Sequence, residues 1–237
     1  MSDLFTSPLF FILLTLGIYT AAGVIHKKSG LIFLQPVLVT VCLLIAYLSL
    51  SDTKYETYMT GGRLIHFFLG PSVVALALPL YRKLRQLRRE APAILASVFF
   101  GSIIGIISVT VPLLLLGVPT ELVASLAAKS VTTPIAMAIT EGVGGIPSLS
   151  AGVVVLTGIL GAVIGPPVLR LCGIVTGTPF GLAMGSAAHG IGTARALEEG
   201  ELEGASSGLA IGVNGIMTAV LVPLLLPLLL PQFSTPS

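Results

Sequence analysis

The sequence predicts an all-α polytopic membrane protein with some broken helices, and three observations carry that prediction. The 237 residues are 54% apolar and 9% charged, with a mean hydropathy of +1.04, whereas soluble domains carry roughly 25% charged residues. Eight hydrophobic segments follow one another with almost no sequence left over for a soluble domain. Two of the eight are interrupted by lysine, proline and many glycines, and such backbone is tolerated at membrane depth only where protein or a wet cavity satisfies it.

The segments run in order along the chain. The first, residues 8–25, follows a start that carries Asp3 and no Lys or Arg, so it lacks the basic region of a signal peptide and is expected to stay as a helix. Residues 31–50, 64–81 and 93–116 follow, each near the roughly 20 residues that span about 30 Å of hydrocarbon. Residues 122–140 form the first interrupted segment, broken by Lys129 and Pro134. After the regular segment 149–169 comes the second interrupted one, 174–196, with Pro179 and a series of glycines. Residues 205–230 close the set. Arg82, Lys83, Arg85, Arg88 and Arg89 crowd one linker and Lys27 and Lys28 another, and the positive-inside rule places both in the cytoplasm. The run RKLRQLRR has no interleaved aromatics and continues a membrane helix, so it reads as an anchor to anionic lipid rather than a nucleic-acid site. Cys42 and Cys172 have no metal-ligand or CxxC spacing and read as small packing residues.

Displacing the chain by about 111 residues brings Pro8 onto Pro119, Pro36 onto Pro147, Gly101 onto Gly212 and Pro112 onto Pro223. Two repeats are expected, 1–116 and 117–237, within a single membrane domain. Such duplication is typical of secondary transporters. Two arrangements fit. Eight full spans give parallel repeats, and six spans plus two re-entrant hairpins, near Gly70-Pro71 and Gly185-Ser186, give inverted ones.

The candidate chemistry lies mostly in the second half. In KSVTTPIAMAITEGVGGIP, residues 129–147, Pro134 removes a backbone donor and frees carbonyls near Ser130 and Val131, so a discontinuous helix is expected. The helix that restarts there points unpaired N–H groups at a cavity and suits a carboxylate. Thr132 and Thr133 either offer hydroxyls to that ligand or bond back to their own helix. Lys129 either counters an anionic substrate or reaches water or Glu141. Glu141 is either a proton carrier or an interfacial cap.

In GSAAHGIGTARALEEG, residues 185–200, small residues allow close approach around Ser186, His189, Gly190 and Thr193. His189 has the chemistry to carry a proton, or it is a hydrogen-bonded packing histidine. Thr193 stands four residues on and shares its helix face. Arg195 either serves the site or pairs with Glu198 or Glu199. Asn214, mid-span, bridges helices or contacts substrate. In the first half the repeat sets Ser72 against Ser186, with Arg63 and His66 as secondary candidates. No nucleotide loop, HExxH motif, nucleophile elbow or Cys/His cluster supports an enzyme, a metal site or a cofactor.

The stretches KSVTTPIAMAITEGVGGIPSLSA from Lys129, TGILGAVIGPPVL from Thr157 and GLAMGSAAHGIGTARALEEGELEGASSGLAIG from Gly181 resemble the LrgB/CidB family of bacterial membrane proteins, and the likeness covers essentially the whole chain. The resemblance implies a multi-pass protein of the bacterial inner membrane that acts with a small LrgA/CidA-type membrane protein. It implies one of two functions. One is an antiholin-like modulator of murein hydrolase activity and lysis. The other is carriage of glycolate, glycerate or pyruvate, as in plastid relatives and some bacterial pairs. A holin needs only short oligomerising helices, so the duplicated architecture and the buried His and Thr favour a transporter subunit for small monocarboxylates or 2-hydroxy acids, coupled or uncoupled to a cation or proton. The expected partners are a small carboxylate, the small membrane protein, the lipid bilayer and further copies of the chain.

Overall fold

The computed structural model describes residues 7–29, 34–75 and 77–230. Its chain divides into two compact units, Met1–Ala75 and Leu76–Ser237.

The first unit holds α1 (Pro8–Ser29), α2 (Pro36–Leu50), α3 (Tyr55–Phe67) and the short α4 (Leu69–Ala75). Of these, α1 is long and apolar enough to cross a membrane. Gly61 of α3 lets the backbone of α1 come against it at Pro8, where any side chain would collide. Beside that contact the Phe11 and Tyr58 rings meet edge to face at 5.7 Å, and the Thr15 and Tyr58 hydroxyls lie 3.2 Å apart. The Gln35 side chain accepts the Leu38 N–H at 2.9 Å and starts α2 with Pro36 in its first turn. At 15 residues, α2 rises about 22 Å and falls short of a span; residues 31–33 of that segment lie outside the described residues. The expected span 64–81 is instead divided among the end of α3, α4 and a third helix, and Gly70-Pro71 lies inside α4 rather than at a hairpin tip.

The second unit holds α5 (Ala77–Arg89), α6 (Ala91–Leu115), α7 (Thr120–Ala127), α8 (Thr133–Gly142), α9 (Pro147–Leu171), α10 (Thr178–Glu199) and α11 (Glu201–Leu229). The helices α6, α9 and α11 are long and apolar enough to cross a membrane. Side-chain contacts fix which ends lie together. Arg82 and Lys83 of α5 pair with Glu201 at the start of α11. Arg170 at the end of α9 pairs with Glu199 at the end of α10. The Gly177 N–H, just before α10, donates to Glu203 at 2.6 Å. Leu87, Ile94, Leu182 and Ala205 share one buried cluster. The start of α6, the end of α9, both ends of α10 and the start of α11 are therefore at one end of the unit. Every described Lys and Arg of the unit except Lys129 is there too, which is the end the positive-inside rule expects on the cytoplasmic side.

Because both ends of α10 are at the basic end, α10 doubles back. Phe180, Met184 and Ala196 pack in one cluster, although a straight helix would hold Phe180 and Ala196 about 24 Å apart. The reversal is at His189, whose backbone is non-helical. The segment between the far ends of α6 and α9 doubles back as well. There α7 runs inward, the chain turns at residues 128–132, and α8 returns until the Ser125 hydroxyl accepts the Ile146 N–H at 2.7 Å and Thr140 donates to Ser150 at 3.0 Å. Two re-entrant hairpins thus enter from opposite ends of a unit crossed by three long helices. Segments 122–140 and 174–196 are not crossings, and eight spans do not describe this unit. The tip of the second hairpin is at His189, three residues beyond Ser186.

The 111-residue repeat does not appear as matching structure. The prolines Pro8 and Pro36 stand at helix starts like Pro119 and Pro147, but α1 is continuous where α7 and α8 are broken, because nothing in α1 corresponds to Pro134. A hairpin followed by a long helix occurs twice inside the second unit instead, as α7–α8 with α9 and as α10 with α11, in opposite senses.

Candidate functional site

The two hairpin tips meet around Asn214, in the middle of α11. Pro134 occupies the first turn of α8 and Thr132 caps it without a side-chain bond, so the stretch before it is unwound and its carbonyls lack helical partners. One is taken up at once: Asn214 Nδ2 donates to the Ser130 carbonyl at 3.0 Å and to the Ser186 carbonyl of the second hairpin at 3.1 Å. Its Oδ1 accepts from Ser102 of α6 at 2.7 Å and from Thr218 at 3.4 Å. All the hydrogen-bonding capacity of a buried amide is thereby used, and one side chain ties both hairpins to α6 and α11. Asn214 is a bridge, and its polar atoms are engaged by protein.

A cavity of about 870 Å³ lies against these tips. Its α6 wall begins at Glu90 and ends at Gly105, about 22 Å at 1.5 Å per residue. Its α9 wall comes from the half of that helix nearest the basic end, and its fourth side is the first half of α10. The cavity thus descends from the basic end and stops at Lys129 and Ser130 of the first tip and Ser186 of the second. The walls are mainly Ile, Leu, Val, Ala and Gly, with Ser97 partway down and Glu90 and Thr178 at the mouth, and Lys129, Ser130, Thr157 and Ser186 stand at the floor. Lys129 Nζ donates to the Ser130 hydroxyl at 3.2 Å, and no carboxylate among the described residues pairs with it. The hydroxyls of Thr157 and Ser186 on the wall also make no bond within the described protein. The floor thus sets one Lys side chain beside three hydroxyls, a group of hydrogen-bond donors in mostly apolar surroundings.

His189 adopts φ +42° and ψ −131°, a region that favours glycine and costs a side-chain-bearing residue on the order of 1–3 kcal/mol. Packing holds it there. Its ring Nε2–H donates to the Val154 carbonyl of α9 at 3.0 Å, and Gly158 leaves the ring its space, since a Cβ there would press on Cε1. The Thr193 hydroxyl donates to the His189 carbonyl at 3.0 Å and stands 2.7 Å from the Ser207 hydroxyl of α11. The expected shared face of His189 and Thr193 is therefore not formed: the reversal sends the ring to α9 and leaves Thr193 bonded toward α11.

Of the residues expected at the site, Lys129 and Ser186 line the cavity, with Ala187 beside them. Thr132 and Thr133 are half-buried next to the tip, outside the cavity wall, and their hydroxyls do not bond back to the helix. Gly190 sits exposed just past the reversal. Glu141 is exposed at the opposite end of the unit and makes no pair with Lys129. Arg195 pairs with Glu198 at 3.3 Å and with Glu199, half-buried at the end of α10, rather than entering the cavity. The Ser72 side chain lies outside the described residues, and Arg63 and His66 are exposed on α3 of the other unit. The sequence reading missed Thr157, Ser102 and Ser207. Each is a lone small hydroxyl in an apolar run, and only the fold distinguishes it from a packing residue.

The LrgB-like family profile matches residues 15–228. The chain is 41% identical over 191 residues to the uncharacterized protein YxaC of Bacillus subtilis, covering 81% of this chain and 83% of that one. It is 38% identical over 205 residues to YwbG of the same organism, covering 86% and 91%. It is 32% identical over 213 residues to the antiholin-like protein LrgB of Bacillus cereus, covering 90% and 93%. No solved structure matches.

Proposed function

The chain belongs to the LrgB-like family, and we propose that it is the membrane-embedded subunit of a carrier for small monocarboxylates or 2-hydroxy acids of the glycolate, glycerate and pyruvate class. One observation carries the proposal: the unpaired ammonium of Lys129 at the floor of a cavity entered from the basic end, on the tip of one re-entrant hairpin and opposite the other. Opposed broken segments meeting at mid-depth are the arrangement from which secondary carriers build a substrate site. In this reading Lys129 and the N-terminal end of α8 offset the carboxylate charge, while Ser130, Ser186 and Thr157 donate hydrogen bonds. The cavity open to the basic end is the inward-facing state. Thr132, Thr133, Gly190 and His189 stand just behind the tips and come into play when the hairpins move. The protein does no covalent chemistry, and an LrgA-type small membrane protein is its natural partner.

The name of the Bacillus cereus relative favours a second reading, an antiholin-like regulator of lysis. Uptake of radiolabelled glycolate, glycerate and pyruvate into proteoliposomes, with the chain alone and with the small partner, separates the two. The carrier reading requires saturable flux; His189→Ala should abolish that flux while membrane insertion persists, and normal flux in the variant would remove His189 from the site and leave the carrier reading standing. Leakage of unrelated solutes without saturable flux supports the regulator reading.

A further inference from the structure

The cavity is far larger than a two- or three-carbon acid, and its chemistry is divided. The one cation and three hydroxyls are at the floor, at Lys129, Ser130, Ser186 and Thr157, while the passage above them is walled by Ile94, Leu160, Ile164 and Leu182 among small residues, with Ser97 partway up and Glu90 and Thr178 at the mouth. A volume near 870 Å³ lies in the range of pockets that hold drug-sized ligands, which are mostly apolar with a few placed polar groups. Resting on the carrier reading of the same floor, we propose that the cavity binds monocarboxylates with an extended apolar side chain from the basic side, more tightly than the short acids. The carboxylate sits on Lys129 and the tail lies up the Ile and Leu walls.

The wall residues place the tail. Ile164 is half exposed, as is Leu160, so apolar surface now facing the cavity would be covered by the ligand. Each methylene buried there improves affinity by about fourfold. The occupant has a single negative charge at one end, because among the described lining residues the only counter-charge is Lys129 and the mouth carries Glu90, which disfavours a second carboxylate.

The test is thermal stabilisation of the purified full chain by a homologous series of 2-hydroxy acids, from glycolate to 2-hydroxyoctanoate, since a ligand that binds the folded state raises its melting temperature with affinity. Apparent affinity should rise about fourfold per added methylene over the first several carbons. Lys129→Gln should remove the effect for every member, and Ile164→Ser should flatten the chain-length dependence. An affinity that is flat or falls with chain length overturns the proposal, and so does a chain-length response that survives Lys129→Gln, which marks detergent-like binding. Glycolate flux in proteoliposomes is read separately. Flux without a chain-length gain removes this inference and leaves the carrier reading, and a chain-length gain without flux removes the carrier reading and leaves this site.

Discussion

Three side chains decide how the second unit works, and each gives a prediction. Lys129 has no partner but a neighbouring serine, so Lys129→Gln removes a charge without breaking an ion pair. The variant should insert and fold as wild type does and lose at least tenfold in carboxylate affinity, read as a rise in half-saturation concentration. Asn214 is the opposite case, with three hydrogen bonds to other elements and a fourth within its own helix. Asn214→Ala removes hydrogen bonds from two part-buried carbonyls and from the buried Ser102 hydroxyl, at about 1 kcal/mol each, and should lower the melting temperature of the detergent-solubilised protein. The His189 ring is housed only because position 158 is glycine. Gly158→Ala should therefore cost about 1–3 kcal/mol through overpacking against the ring and Ile191, read as a lower melting temperature. At this scale the sequence disclosed residue types better than roles. A buried Asn, a Lys and a His stand out in an apolar chain, and Pro134 correctly marked freed carbonyls near Ser130. Which polar atoms are already bonded depends on partners 28 to 112 residues away, which no local pattern encodes.

At the level of elements, the hairpins are the feature that length and hydropathy conceal. Segments 122–140 and 174–196 are each long enough to span, and the count of eight followed from that length. Both instead reverse: the first because Pro134 ends helical bonding across residues 128–132, the second because His189 takes a backbone conformation that allows a turn and Gly190 follows it. The breaks were legible in proline and glycine, but a break does not say whether the chain continues or returns. That depended on Gly185, where α11 comes into contact at Ser207 and Ala210, and on the pairing of Arg170 with Glu199. The distinction is measurable by sided thiol labelling in a Cys42→Ser background. Native Cys172, exposed after α9, should label from the same face as Gln86→Cys, and Glu141→Cys from the opposite face. Eight alternating crossings require the reverse at both positions.

Taken whole, the second unit is a cavity of about 870 Å³ that descends from the basic end and closes at two hairpin tips clasped by one asparagine. Charge distribution orients it: seven of its basic residues gather at one end and the eighth, Lys129, is isolated at the cavity floor. A carrier must expose such a floor alternately to two sides, and a clasp of two neutral hydrogen bonds is weak enough to exchange as the hairpins move. Composition alone identified a polytopic membrane protein, and the family pattern was visible in the glycine-rich stretch from Gly181. The duplicated halves that the prolines suggested are not confirmed by the fold, which has two opposed hairpin-and-helix pairs within residues 120–229. The most direct test of this account is the initial rate of radiolabelled glycolate or pyruvate flux into proteoliposomes that hold the chain with its small partner, wild type beside Lys129→Gln. The account predicts saturable flux for the wild type and, for the variant, a loss of at least tenfold at equal protein content. Equal flux in both would contradict it, because the carboxylate would then be bound somewhere other than the floor on which Lys129 stands.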